Sequence, residues 1–75
     1  MNDQRRKQLG EAKNKIEEAK SILETCRDEE QEYLDNMSDN LEGGEKGQKA
    51  EEDVQTMDEQ VTALDEIVSN LDGIG

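Results

Sequence analysis

The chain lacks several residue types that common folds and active sites require. It has no histidine, proline, phenylalanine or tryptophan, one cysteine, and one aromatic residue, Tyr33. Without histidine, imidazole acid–base catalysis and histidine-activated nucleophiles are excluded. A single cysteine supports neither an intramolecular disulfide nor a cysteine-based zinc site, which favours an intracellular protein. Because apolar runs are very short, we expect no transmembrane span and no secretory signal. Since the sequence has no glycine-rich phosphate-binding loop after a strand and no nucleophile paired with a base, we expect no cofactor and no enzymatic activity.

Composition limits the chain to one small and highly charged domain, residues 1–75. Of its 75 residues, 40% are charged and 29% hydrophobic, and the formal net charge is −12. Such a composition is typical of disordered chains, because it leaves little apolar surface to bury. Order therefore has to be argued from the pattern of the apolar residues.

Both halves of the chain space their apolar residues alternately by three and four, which is the heptad pattern of a packed helix. The first series, interrupted only by Glu30, comprises Leu9, Ala12, Ile16, Ala19, Leu23, Cys26, Tyr33 and Met37. The second comprises Ala50, Val54, Met57, Val61, Leu64, Val68 and Leu71. Between the two series lies a stretch rich in glycine, serine, asparagine and aspartate, which is typical of a turn. The sequence predicts helices over 3–36 and 45–72, joined by a turn over 37–44.

One antiparallel register pairs the two series, and Met37 opposite Ala50 fixes it. The predicted seam then contains Ile16, Leu23, Cys26, Tyr33, Met37, Val54, Met57, Val61, Leu64, Val68 and Leu71. The same register places opposite charges together on one flank at Lys13–Asp72, Lys20–Asp65 and Arg27–Asp58. These pairs favour this alignment over slipped ones. The predicted fold is an all-α, coiled-coil-like, antiparallel two-helix hairpin, although the same pairing is open to two separate chains.

A two-helix hairpin of this length has little core, and three isoleucines remain on its other flank. Burying each is worth about 1.5–3 kcal/mol. We therefore expect self-association through Ile22, Ile67 and Ile74 into a homodimeric four-helix bundle.

Charge is strongly segregated along the chain. Residues 1–27 carry a net charge of +2, whereas residues 28–53 hold eleven acids and only two bases. The hairpin gathers these acids at its turn end. The predicted partner-binding residues, here named the acidic pole, are Asp28, Glu29, Glu32, Asp35, Asp39, Glu42, Glu45, Glu52 and Asp53. An acidic surface either keeps a protein soluble or binds a basic partner.

Other uses of the charged residues are less favoured. Glu29 with Glu32, or Glu42 with Glu45, could share a divalent cation, but the turn does not fit an EF-hand loop, so no metal site is predicted. The basic start at residues 5–7 is too short for nucleic-acid binding and has no aromatic stacking partners.

The stretch over 27–37, with 40–43, 45–47 and 50–52, resembles a group of small helical proteins encoded by tailed bacteriophages. Ser38 and Gly44 depart from the proline and the capping serine expected there in that group. The resemblance implies a phage origin. Small acidic phage proteins, as a class, often inhibit host defences such as restriction or CRISPR nucleases.

These observations together predict a non-enzymatic inhibitor of a host defence protein, of the anti-CRISPR or anti-restriction type, in the cytoplasm of a host bacterial cell. Its acidic pole would imitate a nucleic acid and occupy a basic groove in a nuclease or similar protein. We expect no direct contact with nucleic acid or membrane. Two rival hypotheses are a structural or assembly protein and an oligomeric nucleotide sponge that holds phosphates with Arg5, Arg6 and Lys7.

Overall fold

Two long helices form the molecule. The structure is a computed structural model and describes residues 1–37 and 44–74. Helix α1 spans Asp3–Asp35 and helix α2 spans Glu45–Asp72. The two helices pack against each other along a rod of 59 × 14 × 13 Å. A hairpin of two packed helices is therefore the architecture, with bounds within one residue of those predicted. The predicted turn falls mostly on residues 38–43, outside the described residues.

The helix ends follow from local chemistry. The Asn2 side chain caps α1, because its Oδ1 accepts a hydrogen bond of 2.8 Å from the Arg5 backbone N–H. Gly44 occupies the corresponding position of α2 and offers no side-chain cap. At the end of α2 the Gly73 N–H donates to the Asn70 carbonyl, with ordinary right-handed backbone angles. The start of α1 is therefore capped by a side chain, whereas the start of α2 is not.

The core is a thin layer between the helices. Ala50, 4% exposed, is the buried apolar residue among those described. Gly47 is also buried, one turn earlier in α2. The other apolar residues of the layer are half-buried, and they are Leu9, Ile16, Leu23, Leu34, Met37, Val54, Met57, Val61, Leu64, Val68 and Leu71. A rod this thin leaves most large side chains in contact with water.

Two predicted seam residues of α1 lie outside this layer. Cys26 is exposed, and Tyr33 is 50% exposed. Their neighbours Arg27 and Leu34 are half-buried in their place. α1 is rotated slightly about its axis relative to the prediction, so that at positions 26 and 33 the following residue faces α2, while the other predicted seam residues of α1 stay half-buried. The prediction that Cys26 and Tyr33 fill the seam is therefore wrong.

The rotation has a physical cause in the side chains next to the seam. At Lys13, Lys20 and Arg27 the long aliphatic stems cover apolar surface while the charged ends reach α2. These ends pair with Asp72, Asp65 and Asp58 respectively. All three predicted interhelical ion pairs are therefore present, and they confirm the antiparallel register.

Candidate functional site

The acidic pole lies at the turn end of the rod. Its residues come from the last turns of α1 and the first turns of α2, and those that the structure describes are Asp28, Glu29, Glu32, Asp35, Glu45, Glu52 and Asp53. All are exposed except Asp53, which is half-buried. Asp39 and Glu42, also predicted, lie outside the described residues. The hairpin thus brings together acids from two stretches of chain.

Few positive charges neutralise this end. The described residues over 28–37 and 44–53 contain nine carboxylates and two lysines, Lys46 and Lys49. Lys49 Nζ lies 2.8 Å from Asp53 Oδ1, four residues along the same helix. This hydrogen bond, and then the charge of Asp53, raise the pKa of Lys49 above its ordinary value. One of the two lysines is thereby engaged within the pole.

Two further carboxylates of the pole have local partners. Asp28 Oδ1 lies 3.2 Å from Arg27 Nη2, and Gln31 Nε2 donates a hydrogen bond of 2.9 Å to Asp35 Oδ1. Within the described part of the chain, no salt bridge reaches Glu29, Glu32 or Glu52. These exposed carboxylates are free to meet an external cation.

The pole lies at the C-terminus of α1 and at the N-terminus of α2. The last turn of α1 contains Asp35 and no basic residue, whereas the first turn of α2 contains Glu45. Negative charge opposes the helix macrodipole near a C-terminus and complements it near an N-terminus. Asp35 therefore reduces the stability of α1, while Glu45 stabilises α2.

The other half of the rod is balanced by the interhelical pairs on one flank. Lys20 Nζ lies 2.9 Å from Asp65 Oδ1, and Arg27 Nη1 lies 2.8 Å from Asp58 Oδ1. A hydrogen bond from Lys20 to Asp65 raises the pKa of Lys20. Hydrogen bonds to Asp28 and then Asp58 raise the pKa of Arg27. Lys13, Lys20 and Arg27 are thus paired across the hairpin, and most of the uncompensated negative charge remains at the turn end.

An open groove of about 460 Å³ runs between the helices on this flank, beside the pole. Leu34 and Val54 supply its apolar surface. Carboxylates stand around it at Asp28, Glu51 and Asp58, and Arg27, which pairs with Asp28 and Asp58, also lines it. This combination suits the aliphatic stem and charged end of a lysine or arginine side chain. The seam prediction missed Leu34, whose place in the groove depends on the rotation of α1.

A second groove, of about 450 Å³, lies on the opposite flank. It is lined by Glu30, Tyr33, Glu45, Lys46, Lys49, Ala50 and Asp53. Both grooves carry mixed charges, since three carboxylates meet two lysines here and one arginine in the first groove. The first groove is therefore the more negative of the two by one charge.

Over the described ranges, no group of three or more potential metal ligands comes together. Neither helix has a stretch long and apolar enough to cross a membrane.

No family model, curated protein or solved structure matches the chain. Function has therefore to be inferred from the geometry and charge of the hairpin itself.

Proposed function

We propose that this chain is a non-enzymatic, phage-type inhibitor that places its acidic pole in the basic groove of a host defence protein. The observation that carries the proposal is the concentration of nine carboxylates, with two lysines, among the described residues at one end of the rod. A groove built for DNA or RNA is lined with lysine and arginine and attracts such a surface at long range. Occupying the groove would exclude the nucleic acid.

Two features of the pole support binding rather than solubility alone. Asp35 sits in the C-terminal turn of α1, where negative charge costs helix stability. The groove over Leu34 and Val54 offers apolar contact for the stem of a basic side chain. Solubility alone requires neither feature.

We also propose that the hairpin self-associates through Ile22, Ile67 and Ile74 into a homodimeric four-helix bundle. Their exposures are 64%, 44% and 47% respectively, and these side chains are large and apolar. A dimer would carry two acidic poles, which increases avidity for a multimeric target.

Capture from host-cell lysate at low and high salt tests the inhibitor proposal. The expected result is a nucleic-acid-binding protein that is captured at low salt, is released at high salt, and loses its nucleic-acid binding when the hairpin is bound. A variant carrying Glu32→Lys, Asp35→Lys and Glu52→Lys should lose capture.

The matched control carries Glu11→Lys, Glu18→Lys and Glu66→Lys. It has the same change in net charge on exposed positions away from the pole. Equal loss in both variants would mean that only net charge matters. If neither salt nor either triple variant changes the amount of protein captured, the result would instead support the structural or assembly role.

A further inference from the structure

The rotation of α1 leaves a row of apolar side chains on one face of the rod. Cys26 lines a groove there with Met57 and two glutamates, and Tyr33 lines one with Ala50, Asp53 and four further charged side chains. Ile22 lies one turn before Cys26, while Ile67 and Ile74 lie two and three heptads after Asp53. Heptad spacing puts the helical members of this set on one face, which we name the apolar face, whereas Ile74 follows the end of α2 at Asp72. The exposed helical apolar residues of the apolar face are Ala12, Ala19, Ile22, Cys26, Tyr33 and Ile67.

The single hairpin exposes more surface than a protein of its mass normally does. Its accessible surface is 5722 Å², against about 4,700 Å² for a compact monomer of 8.5 kDa. The excess of about 1,000 Å² is comparable with the ~800 Å² that each partner buries in a stable interface. One long side of the rod, 59 by 14 Å, offers a footprint of this size. A second copy is therefore the occupant whose size fits the face.

We infer that two copies pack by their apolar faces with the rods antiparallel, so that α1 lies on α1 of the partner subunit. This inference rests on the self-association proposed above and specifies its face and direction. A twofold axis parallel to the rods would make them parallel and place the two acidic poles side by side, so that the nine described carboxylates on each subunit would repel those of the other. A twofold axis perpendicular to the rods makes them antiparallel and puts the two poles at opposite ends of the dimer.

The charges beside Ile22 match the antiparallel arrangement. Lys15 and Glu29 lie seven residues before and after Ile22, in the same heptad position, and both are exposed. A twofold axis at Ile22 therefore brings Lys15 beside Glu29 of the partner subunit, and the symmetry repeats the contact. Ile22 lies three residues from the midpoint of α1, so this axis overlaps the rods over most of their length.

Reversing these charges tests the arrangement, with the dimer dissociation constant measured by sedimentation equilibrium. Lys15→Glu alone and Glu29→Lys alone should each raise the constant by about tenfold, because each change makes two contacts repulsive. The double variant should recover to within about threefold of the parent. Lys7→Glu and Glu17→Lys are the matched controls, since heptad spacing puts them on the opposite face with Asp28 and Gln31.

Disulfide trapping tests direction separately in a Cys26→Ser background. The antiparallel arrangement predicts that Ile22→Cys alone gives a covalent dimer on mild oxidation, because position 22 meets its own copy. Cross-linking only when Ile22→Cys and Ile67→Cys subunits are mixed would show parallel rods and overturn the inference. A parent protein that is monomeric at all concentrations would overturn self-association as well, without affecting capture of a basic partner.

Discussion

Lys20 Nζ lies 2.9 Å from Asp65 Oδ1, although the two residues are 45 positions apart in the chain. The pair lies on the flank between the helices, with equivalent pairs one heptad away on each side. Because a shift of α2 by one turn would separate all three pairs, together they specify the antiparallel register.

The Lys20–Asp65 pair should make stability depend on pH in the alkaline range. The pKa of Lys20 is raised above its ordinary 10.5 in the folded protein. The pair therefore stabilises the hairpin fully below pH 10.5, and this contribution is lost as pH rises through the folded pKa. Urea unfolding between about pH 9 and about pH 12 should show Asp65→Asn less stable than the parent only in the lower part of the range.

Asp58→Asn provides the control for this pH dependence. Hydrogen bonds to Asp28 and then Asp58 raise the pKa of its partner Arg27 above the already high ordinary value of arginine, so this pair stays charged over the same range. The loss of unfolding free energy caused by Asp58→Asn should persist at the pH at which the loss caused by Asp65→Asn disappears. If both losses disappear at the same pH, Lys20 is not the titrating group.

Gly10→Ala should stabilise the hairpin. Gly10 lies inside α1, and a Cβ built on it meets no other atom within 4 Å. Replacing glycine by alanine in a helix interior stabilises by about 0.5–1 kcal/mol, because alanine loses less conformational entropy on folding. The free energy of urea unfolding measures the gain. Gly73→Ala, at the end of α2, is the control and should change stability by only a few tenths of a kcal/mol.

Asn2→Ala should weaken the start of α1. The variant removes the acceptor of the 2.8 Å hydrogen bond from the Arg5 backbone N–H. Loss of an N-cap costs about 1 kcal/mol, and the first turn of the helix should fray. Far-UV circular dichroism should report lower helix content, and Asn2→Asp, which restores an acceptor, should keep the parental value. Equal helix content in all three proteins would contradict this capping role.

Leu34→Ala and Tyr33→Ala distinguish the observed rotation of α1 from the seam expected from spacing. Leu34 is half-buried between the helices, whereas Tyr33 is 50% exposed. Leu34→Ala should cost about 1–2 kcal/mol, roughly half the cost at a fully buried site. At a dilution where the protein is monomeric, Tyr33→Ala should cost less. If thermal unfolding instead shows Tyr33→Ala to be the less stable variant, Tyr33 rather than Leu34 fills the seam, as the spacing predicts.

The helices and their alignment could be read from the residues alone. The alternation of three and four from Leu9 to Met37 predicts α1, and the glycine-rich stretch after Met37 predicts its end. Opposite charges at Lys13–Asp72, Lys20–Asp65 and Arg27–Asp58 then select one register. This works because period and charge sign are local properties of the sequence.

The rotation of α1, by contrast, was decided only by the packing of the helices. Hydropathy counts Cys26 and Tyr33 as seam residues and Lys20 and Arg27 as surface residues. In the folded hairpin the aliphatic stems of Lys20 and Arg27 cover the seam while their ends bind Asp65 and Asp58. A side chain that is apolar along its length and charged at its tip has no single hydropathy. Which part it buries depends on the helix opposite, and that choice moved Tyr33 and Cys26 outward.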